Sequence, residues 1–388
     1  MYSLFRKIVS FIRDLYGSTD FIPLHEPRFI GKEKDYVSEV IDNTFVSSVG
    51  EKVVKFEQSI SKYTGSLYAI AMVNGTSALH LALKLAGVSE NDEVITQALT
   101  YVATVNAISY NRAIPIFLDV KWQTLSLDPD KVENFLSNNT YFKEENGKVY
   151  CYNKMTNRII KACIPVHVFG HAAEVDKLVE ICSKYNIVVV EDAAESLGTL
   201  YKGKHTGTFG LLGILSFNGN KIITTGNGGM ILTSNKELAE RAHHLSTQAK
   251  LPYKWEYIHD EVGYNYRLSN LQAALGLAQM ENLEFFIQKK RWLAQEYKKF
   301  FEQFEQIDFI VEPNESRSNY WLNAIVLPNL QIRDKFLSFT NELGVMTRAV
   351  WYPAHMLRVF KGLNVEDLKI TEEIYQRVVN LPSSVILK

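Results

Sequence analysis

Short apolar runs and helical patterns alternate along the chain from about residue 70. "YAIAMV" precedes the helical pattern "GTSALHLALKLAG", and "DEVITQ" precedes "TYVATVNAISYN". "IPIFLDV" is followed later by "DKLVEICSKYN" and then by "IVVVED". Alternation of this kind is typical of a mostly parallel sheet that is covered by helices. The pattern therefore predicts an α/β protein.

Two later stretches depart from this alternation. The segment from Asn138 to Asn157 is polar and rich in tyrosine, and we expect it to leave the sheet. After about residue 245 the pattern becomes one long helix with Gly276 as the candidate kink, followed by "YWLNAIVLP" and the helical "RDKFLSFTNELG". We therefore expect an N-terminal helix over residues 1–20, a large domain over 21–255 and a small C-terminal α+β domain over 256–388.

The N-terminal segment has apolar residues at helical spacing, namely Leu4, Ile8, Phe11, Ile12 and Leu15. Charged residues interrupt it, so it is not a signal peptide. A helix on a membrane surface is one interpretation, and a helix packed on the protein is the one we favour. The chain contains no apolar run that would span a bilayer.

Composition adds little beyond a soluble globular class. The 388 residues are 46% hydrophobic and 22% charged, with a formal net charge of −1, so no global charge attracts nucleic acid. The three cysteines lack metal-ligand spacing and indicate buried, reduced thiols. We therefore expect a cytoplasmic protein without a nucleic-acid partner.

Three motifs fall at predicted strand ends, where open parallel sheets bind ligands. In "VNGTSALHLAL" a strand leads through Gly75, Thr76 and Ser77 into a helix. Free amides at a helix start and nearby hydroxyls can bind an anion, and Gly75 permits close approach. An ordinary helix cap is the alternative, and for this motif alone it is favoured.

The second motif is the pair Glu191 and Asp192 at the end of "IVVVED". A carboxylate at the end of a buried strand needs a partner, because its burial is otherwise costly. That partner is either a structural group, such as a helix start or a cation of the protein, or a cationic ligand atom. The motif alone does not choose between them.

The third motif places Lys221 between "LSFNGN" and "TTGNGG". Gly226, Gly228 and Gly229 indicate a tight turn into the strand "MILTS". The order of a P-loop is absent because Ile222 follows the lysine. A surface lysine in a loop remains the alternative for this motif alone.

Together the three motifs match the needs of one cofactor, pyridoxal 5'-phosphate. Its phosphate needs a helix start and hydroxyls, its ring nitrogen needs a carboxylate, and its aldehyde needs a lysine amine. Tyr101, at the next strand end, could supply a flat aromatic ring over the cofactor.

The segments "NGTSALHLAL", "TYVATVNAI", "IPVHVFGHAAEVD", "VVEDAAESLGT", "SFNGNKIITTGNGG" and "GYNYRLSNLQAALG" resemble, in order and spacing, the DegT/DnrJ/EryC1/StrS family of sugar-nucleotide aminotransferases. The resemblance runs from about residue 21 to the C-terminus. It implies the fold of PLP-dependent transferases of fold type I, which is aspartate aminotransferase-like. In that fold a large domain with a mostly parallel sheet joins a small α+β domain, and a homodimer shares its active sites.

The resemblance also implies roles for individual residues. Lys221 matches the lysine that forms the Schiff base with the cofactor, and Asp192 matches the partner of the pyridine nitrogen. Gly75 and Thr76 match the phosphate-binding turn, with Ser216 as a further phosphate ligand. A lysine at 221, where some relatives have histidine and act as dehydratases, favours transamination.

Further roles implied by the resemblance lie around the cofactor ring and the sugar. Tyr101 would stack on the ring and Glu195 would lie near the ring hydroxyl. Asn265 of "GYNYR" would contact the phosphate from the neighbouring subunit, and His355 of "WYPAHML" would line the sugar site. Asn227 stands where many members have glutamate, and we expect it only to shape the turn after the lysine.

"FIPLHEPRFIGKEKDYV" and "LSTQAKLPYKWEYIHDEVGYNYR" are most similar to enzymes that aminate UDP-linked 2-acetamido-4-keto-2,6-dideoxyhexoses for bacillosamine and legionaminic acid in bacterial surface glycans. This similarity implies L-glutamate as donor and UDP-4-keto-6-deoxy-GlcNAc as acceptor. The product would be UDP-4-amino-4,6-dideoxy-N-acetylglucosamine. A PLP-dependent dehydratase or lyase and a non-catalytic PLP-binding regulator of the same fold remain as alternatives.

Overall fold

Helices and short strands alternate in the computed structural model, which describes residues 2–363 and 366–387. In this part of the chain the α-helices are α1 (Tyr2–Tyr16), α2 (Glu33–Asp42), α3 (Glu51–Thr64), α4 (Gly75–Leu85), α5 (Ala103–Tyr110), α6 (Pro129–Asn139), α7 (Val175–Lys184), α8 (Lys236–Ser246), α9 (Asn270–Met280), α10 (Leu283–Phe301), α11 (Leu330–Glu342) and α12 (Lys369–Arg377). Short 3₁₀ helices cover Val168–Gly170 and Ala354–Met356.

The strands follow the same order along the chain. They are β1 (Tyr68–Met72), β2 (Glu93–Gln97), β3 (Ile114–Leu118), β4 (Thr140–Glu145), β5 (Lys148–Asn153), β6 (Ile160–Ile164), β7 (Val188–Asp192), β8 (Leu200–Tyr201), β9 (Lys204–His205), β10 (Leu212–Ser216), β11 (Gly229–Thr233), β12 (Asp308–Phe309), β13 (Ser316–Arg317), β14 (Asn323–Val326), β15 (Arg348–Ala349) and β16 (Val378–Leu381).

The central sheet has seven strands in the order β1-β11-β10-β7-β6-β2-β3. The pairs from β10 to β3 are parallel, whereas β11 is antiparallel to both of its neighbours. Since β1 and β10 are both antiparallel to β11, β1 runs in the same direction as β10. The predicted mostly parallel sheet is therefore confirmed, and six of its strands end at one carboxyl edge.

Both faces of this sheet carry apolar side chains, because successive residues of a strand point in opposite directions. Along β1, Ile70 and Met72 join the cluster that includes α4 and α8. The intervening Ala69 and Ala71 join the cluster that includes α3, α9 and α10. Burial on both faces explains why the strands are nearly continuous apolar runs rather than alternating ones.

The C-terminal part builds an antiparallel sheet of four strands in the order β12-β14-β16-β15. Helix α1 packs here, with Phe5, Ile8 and Ile12 fully buried in the same cluster as residues of α10 and α11. The ring of Phe11 stacks on that of Phe300 with centroids 3.8 Å apart. The apolar face of α1 is thus covered by the chain itself, while the domain boundaries after residues 20 and 255 stay a prediction.

Two details of the predicted elements are now decided. The segment after α6 leaves the central sheet, as expected, and forms the separate hairpin β4–β5. The kink predicted at Gly276 is wrong, because the long helical pattern breaks between α9 and α10, after Met280. A Cβ at Gly276 would lie 2.7 Å from the Phe56 ring, so this glycine permits α9 to pack closely on α3.

Among the described helices, none has the length and apolar character needed to cross a membrane.

Candidate active site

The carboxyl edge of the central sheet brings the three sequence motifs together. Met72, at the end of β1, and Ser216, at the end of β10, both pair with Gly229 of β11. Asp192, at the end of the adjacent β7, pairs with Ile214 of β10. The helix start that follows β1 therefore lies close to Ser216 on β10, and Asp192 lies on the next strand, β7.

The start of α4 is arranged to bind an anion. Asn74 caps the helix, since its side chain accepts the N–H of Ser77 at 2.7 Å. This cap leaves the amides of Gly75 and Thr76 as first-turn donors that have no intrahelical acceptor. A Cβ at Gly75 would lie 3.0 Å from the Cβ of Ser216, so glycine keeps the approach to the Ser216 hydroxyl open.

Asp192 is buried at this edge with two hydrogen-bond donors. Its Oδ2 accepts the Thr104 hydroxyl at 2.8 Å, and its Oδ1 accepts the Ala194 N–H at 3.2 Å. Burial raises the pKa of Asp192 above its usual range, and the nearby positive charge of Lys221 lowers it only in part. A buried acid of this kind suits a cationic partner, which would stabilise its ionised form.

Lys221 lies in the turn between β10 and β11, where its N–H donates to the Asn218 carbonyl at 2.9 Å. Its Nζ is 3.5 Å from Oε1 of Glu195 and 4.0 Å from the centroid of the Trp321 ring. Only 13% of the side chain is exposed, so the surface-lysine alternative is wrong. The amine is instead held inside the edge between a carboxyl group and an aromatic face.

Glu195 follows Asp192 by one turn of chain and is also buried. Burial raises the pKa of its carboxyl to about 7, although the charge of Lys221 and the Phe169 N–H act to lower it. That N–H donates to Oε2 at 2.9 Å, from a residue whose φ of 56° lies in the left-handed region. The carboxyl beside Lys221 can therefore gain or lose a proton near neutral pH.

Tyr101 and His355 lie on one side of this edge. Tyr101 is 59% exposed in the loop that follows β2. The Ala354 N–H donates to the Ala98 carbonyl of that loop at 2.8 Å, which brings the His355 segment against it. His355 is buried with Nε2 3.2 Å from Oε1 of Glu372, and its Nδ1 has no hydrogen-bond partner among the described residues.

Asn265 forms no side-chain hydrogen bond with Lys221 in the part of the chain that the structure describes. It is exposed and pairs through its backbone with Thr247. The following residue, Tyr266, accepts the N–H of Val73, so this segment lies alongside the end of β1. The role of Asn265 across a subunit interface stays a prediction, as do the other residue roles implied by the resemblance.

Sequence reasoning missed three side chains near the site. Thr104 lies three residues after Tyr101, and its hydroxyl donates to Asp192. The available signal in the sequence was a hydroxyl residue at a predicted helix start. Trp321 gave no local signal because it lies far from Lys221 in the sequence. The third side chain is His25, whose two ring nitrogens are shielded from solvent and have no hydrogen-bond partner among the described residues. Burial lowers the pKa of His25 well below its usual range, and the positive charges of Lys290 and Lys221 lower it further.

The residues fit pyridoxal phosphate by their own chemistry. The α4 amides and the Ser216 hydroxyl form a cradle that a Cβ at Gly75 would fill, which suits a phosphate group. Asp192 offers a buried acid for a protonated ring nitrogen, and the enclosed Lys221 offers an amine for the aldehyde.

The similarity to known proteins extends over nearly the whole chain. The model of the DegT/DnrJ/EryC1/StrS aminotransferase family matches residues 28–388. The GDP-perosamine synthase of Escherichia coli O157:H7 is 38% identical over 94% of this chain and 93% of its own length. A second GDP-perosamine synthase, from Caulobacter vibrioides, is 35% identical over 93% of each chain.

A solved structure confirms the fold expected from the resemblance. The PLP-form of Spr1654 from Streptococcus pneumoniae superposes with a TM-score of 0.83 and 23% identity, covering 95% of each chain. The chain therefore has the α/β architecture of fold type I.

Proposed function

The chain belongs to the DegT/DnrJ/EryC1/StrS aminotransferase family, and we propose that it moves an amino group from L-glutamate to C4 of a nucleotide-linked 4-keto-6-deoxyhexose. It is a transaminase, and its cofactor is pyridoxal 5'-phosphate. The observation that carries the proposal is the enclosed Lys221 amine, which lies at the sheet edge with the buried acids Asp192 and Glu195.

When bound, pyridoxal phosphate supplies an aldehyde that bonds to amines and a ring that withdraws electrons from a neighbouring carbon. The amides of Gly75 and Thr76 and the hydroxyl of Ser216 would hold its phosphate. Asp192 would face its ring nitrogen, and Lys221 would bond to its aldehyde carbon. Tyr101 would cover one face of the ring.

The chain's own groups would also move the protons. Once its amine is free, Lys221 would take the proton from Cα of the amino donor, which is general-base work at a fixed distance. Asp192 would stabilise a positive charge on the ring nitrogen while the proton moves. Glu195, 3.5 Å from the Lys221 amine and with a pKa of about 7, can exchange a proton with it.

Two nucleotide sugars are candidates for the acceptor. The motif resemblance favours UDP-4-keto-6-deoxy-GlcNAc and the product UDP-4-amino-4,6-dideoxy-N-acetylglucosamine. The names of the two relatives favour a GDP-linked sugar instead. The chemistry at the sheet edge is the same for both, so the choice rests on contacts with the sugar and the nucleotide.

The test is a paired assay of the purified protein with L-glutamate and either UDP-4-keto-6-deoxy-GlcNAc or a GDP-linked 4-keto-6-deoxyhexose. Product mass and NMR identify which sugar gains an amine at C4, and 2-oxoglutarate is measured in parallel. Lys221→Ala is the control and is expected to be inactive. A product that has lost water and gained no nitrogen would indicate the dehydratase alternative and contradict the proposal.

We also propose a homodimer in which Asn265 of one subunit completes the phosphate site of the other. Its exposure in this chain and its position beside the end of β1 are consistent with a role outside its own subunit. Mixing inactive Lys221→Ala with a weakened Asn265→Ala variant should restore activity, because one site of the mixed dimer has both residues intact. No recovery after subunit exchange, verified by mass spectrometry, would contradict a shared site.

A further inference from the structure

The ring of Trp321 covers the amine of Lys221. The Nζ atom is 4.0 Å from the ring centroid, and the tryptophan is only 4% exposed. The indole N–H donates to the carbonyl of Asn220 at 2.7 Å. Trp321 therefore contacts both the side chain of Lys221 and the backbone just before it, and its ring face attracts a cation in this desolvated position.

The segment that carries Trp321 is hydrogen-bonded to the chain that follows β6 and β7. The Ser318 hydroxyl donates to the Gly170 carbonyl at 2.8 Å, and the Asn319 N–H donates to the Thr199 hydroxyl at 3.0 Å. The Asn319 amide group also donates to the Glu195 carbonyl at 2.9 Å. Because Glu195 and Trp321 are the two groups that flank Lys221, the one residue Asn319 ties both of them together.

Asn319 also fixes the tryptophan itself, since its side-chain oxygen accepts the backbone N–H of Trp321 at 2.8 Å. Tyr320, between them, has a φ of 48°, and Phe169, which holds Glu195, has a φ of 56°. A bulky residue in the left-handed region is unfavourable and persists where its surroundings fix it. Both strained residues thus lie directly beside the partners of Lys221.

We propose that Trp321 is a positioning residue for Lys221, holding its amine through the ring face and the indole N–H bond to Asn220 so that it meets the cofactor aldehyde. This inference rests on the proposed function. It assigns to the C-terminal part of the chain control over a reactive group that lies in the turn between β10 and β11.

The experiment measures how fast the cofactor-free protein bonds to added pyridoxal phosphate, a reaction in which a carbon–nitrogen bond forms and one water leaves. The visible absorption band gives the rate, and borohydride reduction with peptide mapping shows attachment at Lys221. Trp321→Phe keeps the ring face but loses the indole N–H. Trp321→Leu loses both. Trp292→Phe, on α10 and 39% exposed, is the matched control.

We expect Trp321→Phe to slow bonding several-fold and Trp321→Leu to slow it by about tenfold or more, on the order expected for a displaced reactive group. The control should match the wild type. In the steady state, kcat should fall while KM for both substrates changes less than about twofold. A fall of kcat at a nearly unchanged KM distinguishes positioning of the reactive amine from a role in substrate binding.

A bonding rate of Trp321→Phe within about twofold of the wild type would overturn the positioning role, as would a rise of KM at unchanged kcat. Trp321→Phe decides the question even where Trp321→Leu does not fold, because it keeps most of the buried volume. Failure of the wild type itself to bond at Lys221 would instead overturn the proposed function. The two failures are therefore distinguishable.

Discussion

Two neighbouring acids at the end of β7 have opposite environments. Glu191 is fully buried and accepts the N–H groups of Gly207, Phe209 and Gly210 at 2.6–2.8 Å. It also lies 3.0 Å from Nε2 of His167. Asp192, the next residue, accepts one hydroxyl and one amide.

His167 must donate to Glu191, because its other ring nitrogen accepts the N–H of Ala173 at 3.0 Å. Although burial acts to raise it, these hydrogen bonds keep the pKa of Glu191 below its usual range. For Asp192 burial prevails and the pKa is raised. One acid has its charge fully compensated by the protein, and the other does not.

The difference arises because successive side chains of a strand point to opposite faces. Glu191 points into the turn before β10, where backbone amides converge on it. Asp192 points to the side that Lys221 and Glu195 share. The two interpretations left open by the sequence, a structural acid and a ligand-facing acid, therefore both apply, one to each residue, with the ligand role of Asp192 still a proposal.

The largest expected effect is that of Asp192→Asn. An amide cannot balance a positive ring nitrogen, so single-turnover amino transfer should fall by about 10² to 10³-fold, the scale of losing one preorganised electrostatic group. The unfolding free energy should change by less than about 1 kcal/mol, since a buried acid with a raised pKa gains little from ionising. Asp130→Asn on α6 is the exposed control. An unchanged single-turnover rate would remove Asp192 from its proposed role.

Glu191→Gln should show the opposite profile. The glutamine amide is uncharged, and its NH2 group cannot accept the backbone N–H groups that the carboxylate accepts. We therefore expect the unfolding free energy to fall by about 3 kcal/mol. Urea unfolding of the cofactor-free protein measures this loss, with the exposed Glu237→Gln on α8 as control. A loss below about 1 kcal/mol would mean that the amides are not the reason for its burial.

Glu195 resembles Asp192 in that burial raises the pKa of its carboxyl group, so the stability of the protein should depend on pH through it. Its folded pKa of about 7 exceeds the ordinary 4.5, so the folded state binds more protons between these values. Its contribution to stability is thus present below about pH 4.5 and is lost as the pH rises toward about 7.

The measurement is urea unfolding of the cofactor-free wild type and Glu195→Gln across that pH window. The wild type should lose about 2 kcal/mol relative to the variant as the pH rises. Parallel pH profiles for the two proteins would show that the Glu195 pKa is not raised in the folded state.

The smallest effect should come from Thr104→Val. Without the hydroxyl, Asp192 loses one of its two donors, its pKa rises further, and single-turnover transfer should slow by about tenfold. Thr104→Ser keeps the hydroxyl and serves as the matched control. Equal rates of Thr104→Val and Thr104→Ser would show that the hydrogen bond does not tune Asp192.

The sequence by itself determined the alternating elements, the mostly parallel sheet and the strand ends at which Gly75, Asp192 and Lys221 fall. Apolar periodicity and glycine placement act over a few residues, and topology rules send parallel strand ends to one edge. The order of the motifs then sufficed to indicate the family.

Only the tertiary structure decided which acid faces Lys221, which aromatic ring covers it and where the long C-terminal helix breaks. Trp321 lies far from Lys221 in the chain, and the donors of Glu191 come from a turn beyond its own strand. Such contacts depend on the packing of distant segments and on which way one strand residue points, and no local pattern encodes that direction at a strand buried on both faces.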